Sequence, residues 1–231
     1  MRANMKENII FPPIGCTVRL HIDPQFDSPI EEVFAYHFDK YKNEEAVLHQ
    51  QVQVNTICGP YWLDFVATIN DKIVGIECDG KDYHDTNRDF WRDSMILGTG
   101  AVDSIYRFSG RDLNYHVNDC LFLLSEVEPE IFSKRGIINL SHLSSAEARE
   151  ADDNEKYLTE DGLAIFYRKE IEEESRVFDT FIYVKRRNKK VSGKKDPDWV
   201  KYYNFAKEHG GGNLNEIIES YDSSSKDEEH I

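Results

Sequence analysis

Between residues 61 and 80 apolar and polar positions alternate along the chain. Leu63, Phe65, Ala67 and Ile69 fall on one side, with Trp62, Asp64, Val66 and Thr68 on the other. Beyond Asn70-Asp71 the alternation resumes, with Val74, Ile76 and Cys78 set against Ile73, Gly75, Glu77 and Asp79. A period of two in β-branched and aromatic residues predicts two strands, and Asn-Asp between them is hairpin-turn chemistry.

Upstream, residues 28–41 read SPIEEVFAYHFDKY. Ser28 suits an N-cap, Pro29 the first turn, and Glu31 stands three residues on, as in a capping box. Ile30, Val33, Phe34, His37, Phe38 and Tyr41 form the apolar stripe of an amphipathic helix. Residues 47–57 read as a strand, with Gln51 and Gln53 on one face and Val52 and Val54 on the other, closed by Cys58-Gly59-Pro60. A helix capped by Asp85 or Thr86 runs to Leu97, a short strand follows at 102–108, and a helix with an apolar stripe covers 112–124. The order α-β-β-β-α-β-α predicts an α/β fold, a mixed sheet flanked by helices.

The rest is less regular. Residues 1–27 read as an irregular arm with one short strand at 18–22. A charged helix at 144–156 faces solvent. Strands at 163–169 and 177–186 flank an acidic turn. Pro197 opens a helix, Gly210 to Gly212 close it, and a short helix at 213–221 leads into an acidic tail, 221–231, expected to be disordered. Aromatic and basic residues interleave in FIYVKRRNKK. That pattern suits a nucleic-acid-binding strand, and equally an exposed sheet edge protected by lysines.

The hairpin has a chemical consequence. With Asn70-Asp71 as a two-residue loop, Ile69 faces Lys72, and counting back along both strands brings Asp64 opposite Glu77. Facing side chains on an antiparallel pair have Cβ atoms about 5 Å apart, and like charges there repel. Asp79 follows on the same face. Three carboxylates at one end of an apolar sheet need protonation, a basic side chain or a divalent cation. Oxygen-only ligands favour Mg²⁺ or a similar hard ion over Zn²⁺. A solvated strand end is the plainer alternative.

Composition narrows the setting. The chain of 231 residues is 40% hydrophobic, enough for one globular core with a small appended module. No apolar run approaches the roughly 20 residues of a membrane span, and no secretory signal is visible. Four scattered cysteines without a C-x-x-C pair predict free thiols and a cytoplasmic setting. The formal net charge of -15 opposes binding to a polyanion at long range. The basic run at 185–195 is a local exception, and a basic partner would be another means of offsetting the sign.

Around Asp64 and Glu77 the sequence resembles the PD-(D/E)XK nuclease superfamily, in its very-short-patch-repair-endonuclease-like branch. SPIEEVF is similar to the opening helix, WLDF to the first acidic strand and IVGIECDGKDYH to the second. RDFWRDSMILGTGA and IYRF are similar to the helix and strand that follow. The resemblance covers about residues 28 to 125. It implies a restriction-endonuclease-like core over 28–135, followed by a small α+β extension over 136–220.

It also implies metal-dependent phosphodiester hydrolysis, most readily of DNA, by a nuclease serving as an effector subunit of a phage-defence or mobile-element system. The alternative is a degenerate nuclease fold that binds nucleic acid or assembles with other chains. Under the resemblance, Asp64, Glu77 and Asp79 hold Mg²⁺ or Mn²⁺, Glu31 supports the site, and Gln53 approaches it. His84 follows the Asp-Gly turn, and Arg107 is the basic residue of the last strand. The motif lysine is replaced by Asp79, although Lys81 offers a second register. The proton-transfer group therefore stays open among Asp79, Lys81 and His84. Arg88, Arg92 and Arg107 are the expected phosphate contacts, while Arg88 and Arg92 also suit a helix surface paired with Asp85 and Asp89. A protein partner or a homo-oligomer is expected, and no membrane.

Overall fold

The computed structural model describes residues 9–10, 28–80, 86–150, 156–159, 162–173, 176–188 and 196–228. The elements are β1 (Ile9–Ile10), α1 (Pro29–Tyr41), β2 (Val47–Thr56), β3 (Gly59–Ile69), β4 (Lys72–Asp79), α2 (Thr86–Thr99), β5 (Ser104–Ser109) and α3 (Gly110–Val127). A short 3-10 turn at Pro129–Ile131 leads to α4 (Lys134–Leu143) and α5 (Ala146–Glu150). Then come β6 (Lys156–Thr159), β7 (Gly162–Glu173), β8 (Arg176–Asn188), α6 (Asp198–Glu208) and α7 (Leu214–Glu228).

The described strands form one mixed sheet in the order β1-β2-β3-β4-β5-β8-β7-β6. β4 and β5 run parallel, joined through α2, and the other neighbours are antiparallel. The β3–β4 pairing runs from Ile69–Lys72 to Phe65–Ile76, as a two-residue loop requires. Asn70 takes φ 51, a left-handed conformation that asparagine tolerates in tight turns.

Alternation on β4 sets the layers. Val74, Ile76 and Cys78 pack with Phe34 and Phe38 of α1 and Leu113 and Leu121 of α3. Ile73 packs on the opposite side, with Ile96 of α2, Ile105 and Trp199 of α6. Helices therefore cover both faces of the sheet. Ser28 caps α1, its Oγ accepting the Glu31 N–H at 3.4 Å and donating to Glu31 Oε1 at 2.9 Å.

The strand alternation expected at 61–69 holds only in part. Phe65 packs against Phe34 with the rings tilted, whereas Leu63 packs with Val52, Val54 and Ile96 on the other face. The pattern slips at Asp64. Across from it, Gln51 takes φ 47, and β2 slips too, Leu48 packing with the Phe34 side and Val52 with the Ile96 side. Strand pairing keeps step on both sides of the slip, from Gln50–Phe65 to Val52–Leu63. The two strands change faces together, and the sheet is bent at that rung.

The later strands continue the same sheet. β8 lies between β5 and β7 at Val184 and Lys185, and Arg186–Asn188 continue along β5, so the basic end of FIYVKRRNKK is hydrogen-bonded into the sheet on its β5 side. Residues 176–183 pair with β7 alone, and the hairpin extends past the end of β5. α7 runs to Glu228, so the first eight residues of the expected disordered tail are helical, continuing the NLNEIIESY pattern. The strand expected at 18–22 lies outside the described residues.

α2 is clamped from outside by α6 and α7, where Trp91 meets Tyr202, Phe205 and Tyr221 edge to face. At Gly98 a Cβ would land on the Tyr203 ring. Gly98→Ala should therefore push α6 off α2 and destabilise the fold by about 1–3 kcal/mol, read as a lowered urea midpoint.

Candidate active site

One step beyond the Phe65–Ile76 pair, β3 and β4 carry Asp64 and Glu77. Glu77 in turn pairs across the parallel ladder with Arg107, and Arg107 across the next with Lys185. A polar rung thus crosses the middle of the sheet at the point where β2 and β3 bend.

Each carboxylate on the rung has a distinct partner. Asp64 Oδ2 accepts the Cys78 N–H at 2.7 Å, so the side chain takes over a backbone ladder bond where the strands part. Glu77 is only 3% exposed, and its Oε1 accepts from Arg92 Nη2 of α2 at 2.6 Å. Arg92 Nη2 also donates to the Trp62 carbonyl. Asp79 Oδ1 accepts from Arg107 Nη1 at 2.7 Å. Arg107 then grips Asp93 of α2 with two further donors, Nε at 2.9 Å and Nη2 at 2.8 Å. Arg187 of β8 also donates to Asp93 Oδ2.

The electrostatics divide the acids into two kinds. Burial raises the pKa of Asp64, and Asp79 adds to the rise. The Cys78 N–H, Arg92 and a hydrogen-bonding contact with Glu77 offset part of it. Glu77 is pushed well above the usual carboxylate range, by burial first and then by the Asp64 charge, against the pull of Arg92 and Arg107. Asp93 behaves oppositely. Burial acts to raise its pKa, but Arg107 and Arg187 outweigh that and hold it below the usual range. Asp93 is thus a fully compensated buried charge, and the Asp64–Glu77 pair, with Arg92 bonded to Glu77 and not to Asp64, is a partly compensated one.

The same division bears on a cation. Asp64 and Glu77 are close oxygen donors whose shared excess negative charge a hard divalent ion would relieve, and that pair fits one. Asp79 is already neutralised by Arg107. Among the described residues, no group of three or more His, Cys, Asp or Glu side chains is arranged to hold a metal ion.

The remaining expected residues fall as follows. Glu31 is buried, and both proposed roles meet in it. Its Oε1 accepts from the hydroxyl of Ser28, the residue that caps α1, and its Oε2 accepts from Gln51 Nε2 at 3.1 Å. Gln51, not Gln53, is thus the strand glutamine that reaches toward the rung, because the left-handed turn at Gln51 breaks the alternation. Gln53 instead donates to Asn55 at 2.9 Å. Arg107 is 3% exposed and spends its donors on Asp79 and Asp93, so it offers no open face to a phosphate. Arg92 pairs with Glu77 rather than along its own helix, and Asp89 lies 4.0 Å from Arg107. Arg88 is exposed on α2. Lys81 and His84 lie outside the described residues.

Asp93, Arg187 and Gln51 carry no site role in the sequence reading, although Gln51 is placed there on a strand face and Arg187 in the basic run. Asp93 did leave a signal: it lies three residues after Phe90 and four before Leu97, an acid on the apolar stripe of α2. No family model, curated protein or solved structure matches this chain.

Two substitutions separate the two kinds of acid. Asp93→Asn removes the carboxylate that Arg187 and Arg107 share, leaving Arg107 with Asp79, and should destabilise by about 3–5 kcal/mol in urea denaturation. Asp64→Asn should do the reverse. A carboxyl whose folded-state pKa is raised favours folding below the ordinary carboxylate range, and that contribution is lost as pH rises through the raised value. The neutral amide removes the penalty. It should raise stability at alkaline pH by roughly 0.5–2 kcal/mol, with the gain shrinking in acid, as read from urea midpoints in both ranges.

Proposed function

We propose that the chain is a metal-dependent nuclease with a restriction-endonuclease-like core, acting on DNA. The observation that carries this reading is the Asp64–Glu77 pair, a half-buried and a buried carboxyl set against each other across β3 and β4 with raised pKa values. A fold gains nothing in stability from such a pair, and acids of this kind cluster at functional sites. The order α1-β2-β3-β4-α2-β5-α3 is that of the core the sequence resembles.

Asp64 and Glu77 are the residues that would hold Mg²⁺ or Mn²⁺. Bound there, the ion supplies Lewis-acid stabilisation of phosphoryl charge and a water of lowered pKa. The chain's own groups do the rest. The Cys78 N–H fixes the Asp64 carboxylate beside Glu77. Arg92, tied to Glu77 and the Trp62 carbonyl, stands as the cation beside the carboxylates for an incoming phosphate. Arg107 orients Asp79 and closes the floor of the site from β5. Proton transfer falls to Asp79, or to Lys81 or His84 in the segment that follows it.

One observation favours a second reading, a nuclease fold that binds nucleic acid or assembles without cutting. Arg92 and Arg107 neutralise Glu77 and Asp79 internally, with no ion involved. Incubation with plasmid and Mg²⁺ or Mn²⁺ decides between them. Cleavage by the wild-type chain, falling by roughly 100-fold or more in Asp64→Ala and Glu77→Ala, is the expected result, since a Lewis-acid ion supplies several kcal/mol. Metal-insensitive binding with no product from either chain would leave only the scaffold reading.

A further inference from the structure

On the α2 side of the sheet, one side chain away from Glu77, lies a cavity of about 460 Å³. Tyr61 and Trp62 of β3, Arg88, Asp89 and Arg92 of α2 and Leu214 of α7 line it. Its volume falls in the roughly 300–1,000 Å³ range of sites for small organic ligands.

The lining is chemically mixed in a specific way. Trp62 is 48% exposed, whereas Trp91 is fully buried and Trp199 nearly so. Tyr61 belongs to the apolar seam that packs α7 against α2, but Trp62 does not, so packing of that seam does not explain it. Burial, with Cys58 adding to it, pushes the Tyr61 phenol up to about 12 against the pull of Arg88 and Arg92, so it stays protonated as a donor. The Arg92 guanidinium lies 5.9 Å from the Tyr61 ring centre. Its Nη2 serves Glu77 and the Trp62 carbonyl, while its buried Nε has no hydrogen-bond partner among the described residues. Two guanidiniums therefore stand beside two aromatic rings, on a chain of net charge -15.

A bare anion would use the guanidiniums and leave the rings idle. An apolar ligand would strand the guanidiniums. A nucleotide uses both, its base stacked on an aromatic face and its phosphate on arginine. In a closed duplex the base faces are already stacked on one another and are not presented. We infer that this cavity takes one unpaired nucleotide beside the bond to be cut, supplied by a single strand, an overhang or a base turned out of a duplex. The inference rests on the nuclease reading and names its substrate class. Arg92 links the two, bonded to Glu77 on one side and lining the cavity on the other.

The test uses the full chain in EDTA, with end-labelled oligonucleotides followed by fluorescence anisotropy. The probes are single-stranded DNA, single-stranded RNA of the same sequence and the blunt DNA duplex. Single strands should bind tighter than the duplex, and the tighter of the two single strands identifies the natural source. Trp62→Ala should weaken single-strand binding by about tenfold, with Trp62→Phe retaining most of the affinity. Arg88→Ala should weaken all single strands and flatten the salt dependence by about one unit of slope. Unchanged single-strand affinity in Trp62→Ala, or a duplex bound tightest by every variant, overturns the inference. If the wild-type chain still cleaves DNA with Mn²⁺ in that case, the nuclease reading stands alone. If the wild-type chain neither binds nor cleaves any of the probes, the nuclease reading fails and the cavity assignment falls with it.

Discussion

Burying a carboxylate inside a β-sheet layer is tolerable only where opposite charge or hydrogen bonds are built in with it. Asp93 meets that condition in full. It has no exposure to solvent and is held by Arg107 and Arg187 from two different strands. Through this one acid, α2 is fastened to β5 and β8 together. The position of α2 decides where Arg92 lies, and Arg92 decides how much charge is left on the rung at Glu77. The site is therefore set by an ion cluster lying just behind it.

The two ends of β4 make the contrast visible. At its start, Glu128 is buried but fully answered, by Lys72, by the Tyr106 hydroxyl at 2.6 Å and by Ser104 at 3.4 Å. At its finish, Glu77 is as deeply buried, yet its neighbours include Asp64 and leave its pKa well raised. A glutamate packed against the start of β4 thus makes a structural joint, while one carried near its end holds stored electrostatic strain. Strain of the second kind is what a catalytic or binding site holds in reserve.

The α-β-β-β-α-β-α order and the β3–β4 register are legible in the sequence because each rests on local chemistry. Asn70 permits the tight turn, and period-two alternation does the rest. The slip at Asp64 is not legible. It depends on Gln51 adopting a left-handed backbone, which nothing about glutamine announces, and it exchanges Gln53 for Gln51 at the rung. Arg187 is hidden for another reason. It sits among lysines that look like a solvated edge, and only the non-local pairing of β8 with β5 makes it interior. Asp93 lies between these cases, since an acid on an apolar helix stripe marks a buried partner without saying which one.

The ion cluster also imposes an order in time. Residues 28–127 emerge from the ribosome first, carrying Asp93 and Arg107 but not Arg187. Until β8 has been synthesised and inserted, the nascent sheet holds Asp93 with one guanidinium instead of two and leaves the outer side of β5 unpaired. A chain that stopped before β8 would carry the carboxylates of β3 and β4 with Arg107 alone behind them to answer Asp93.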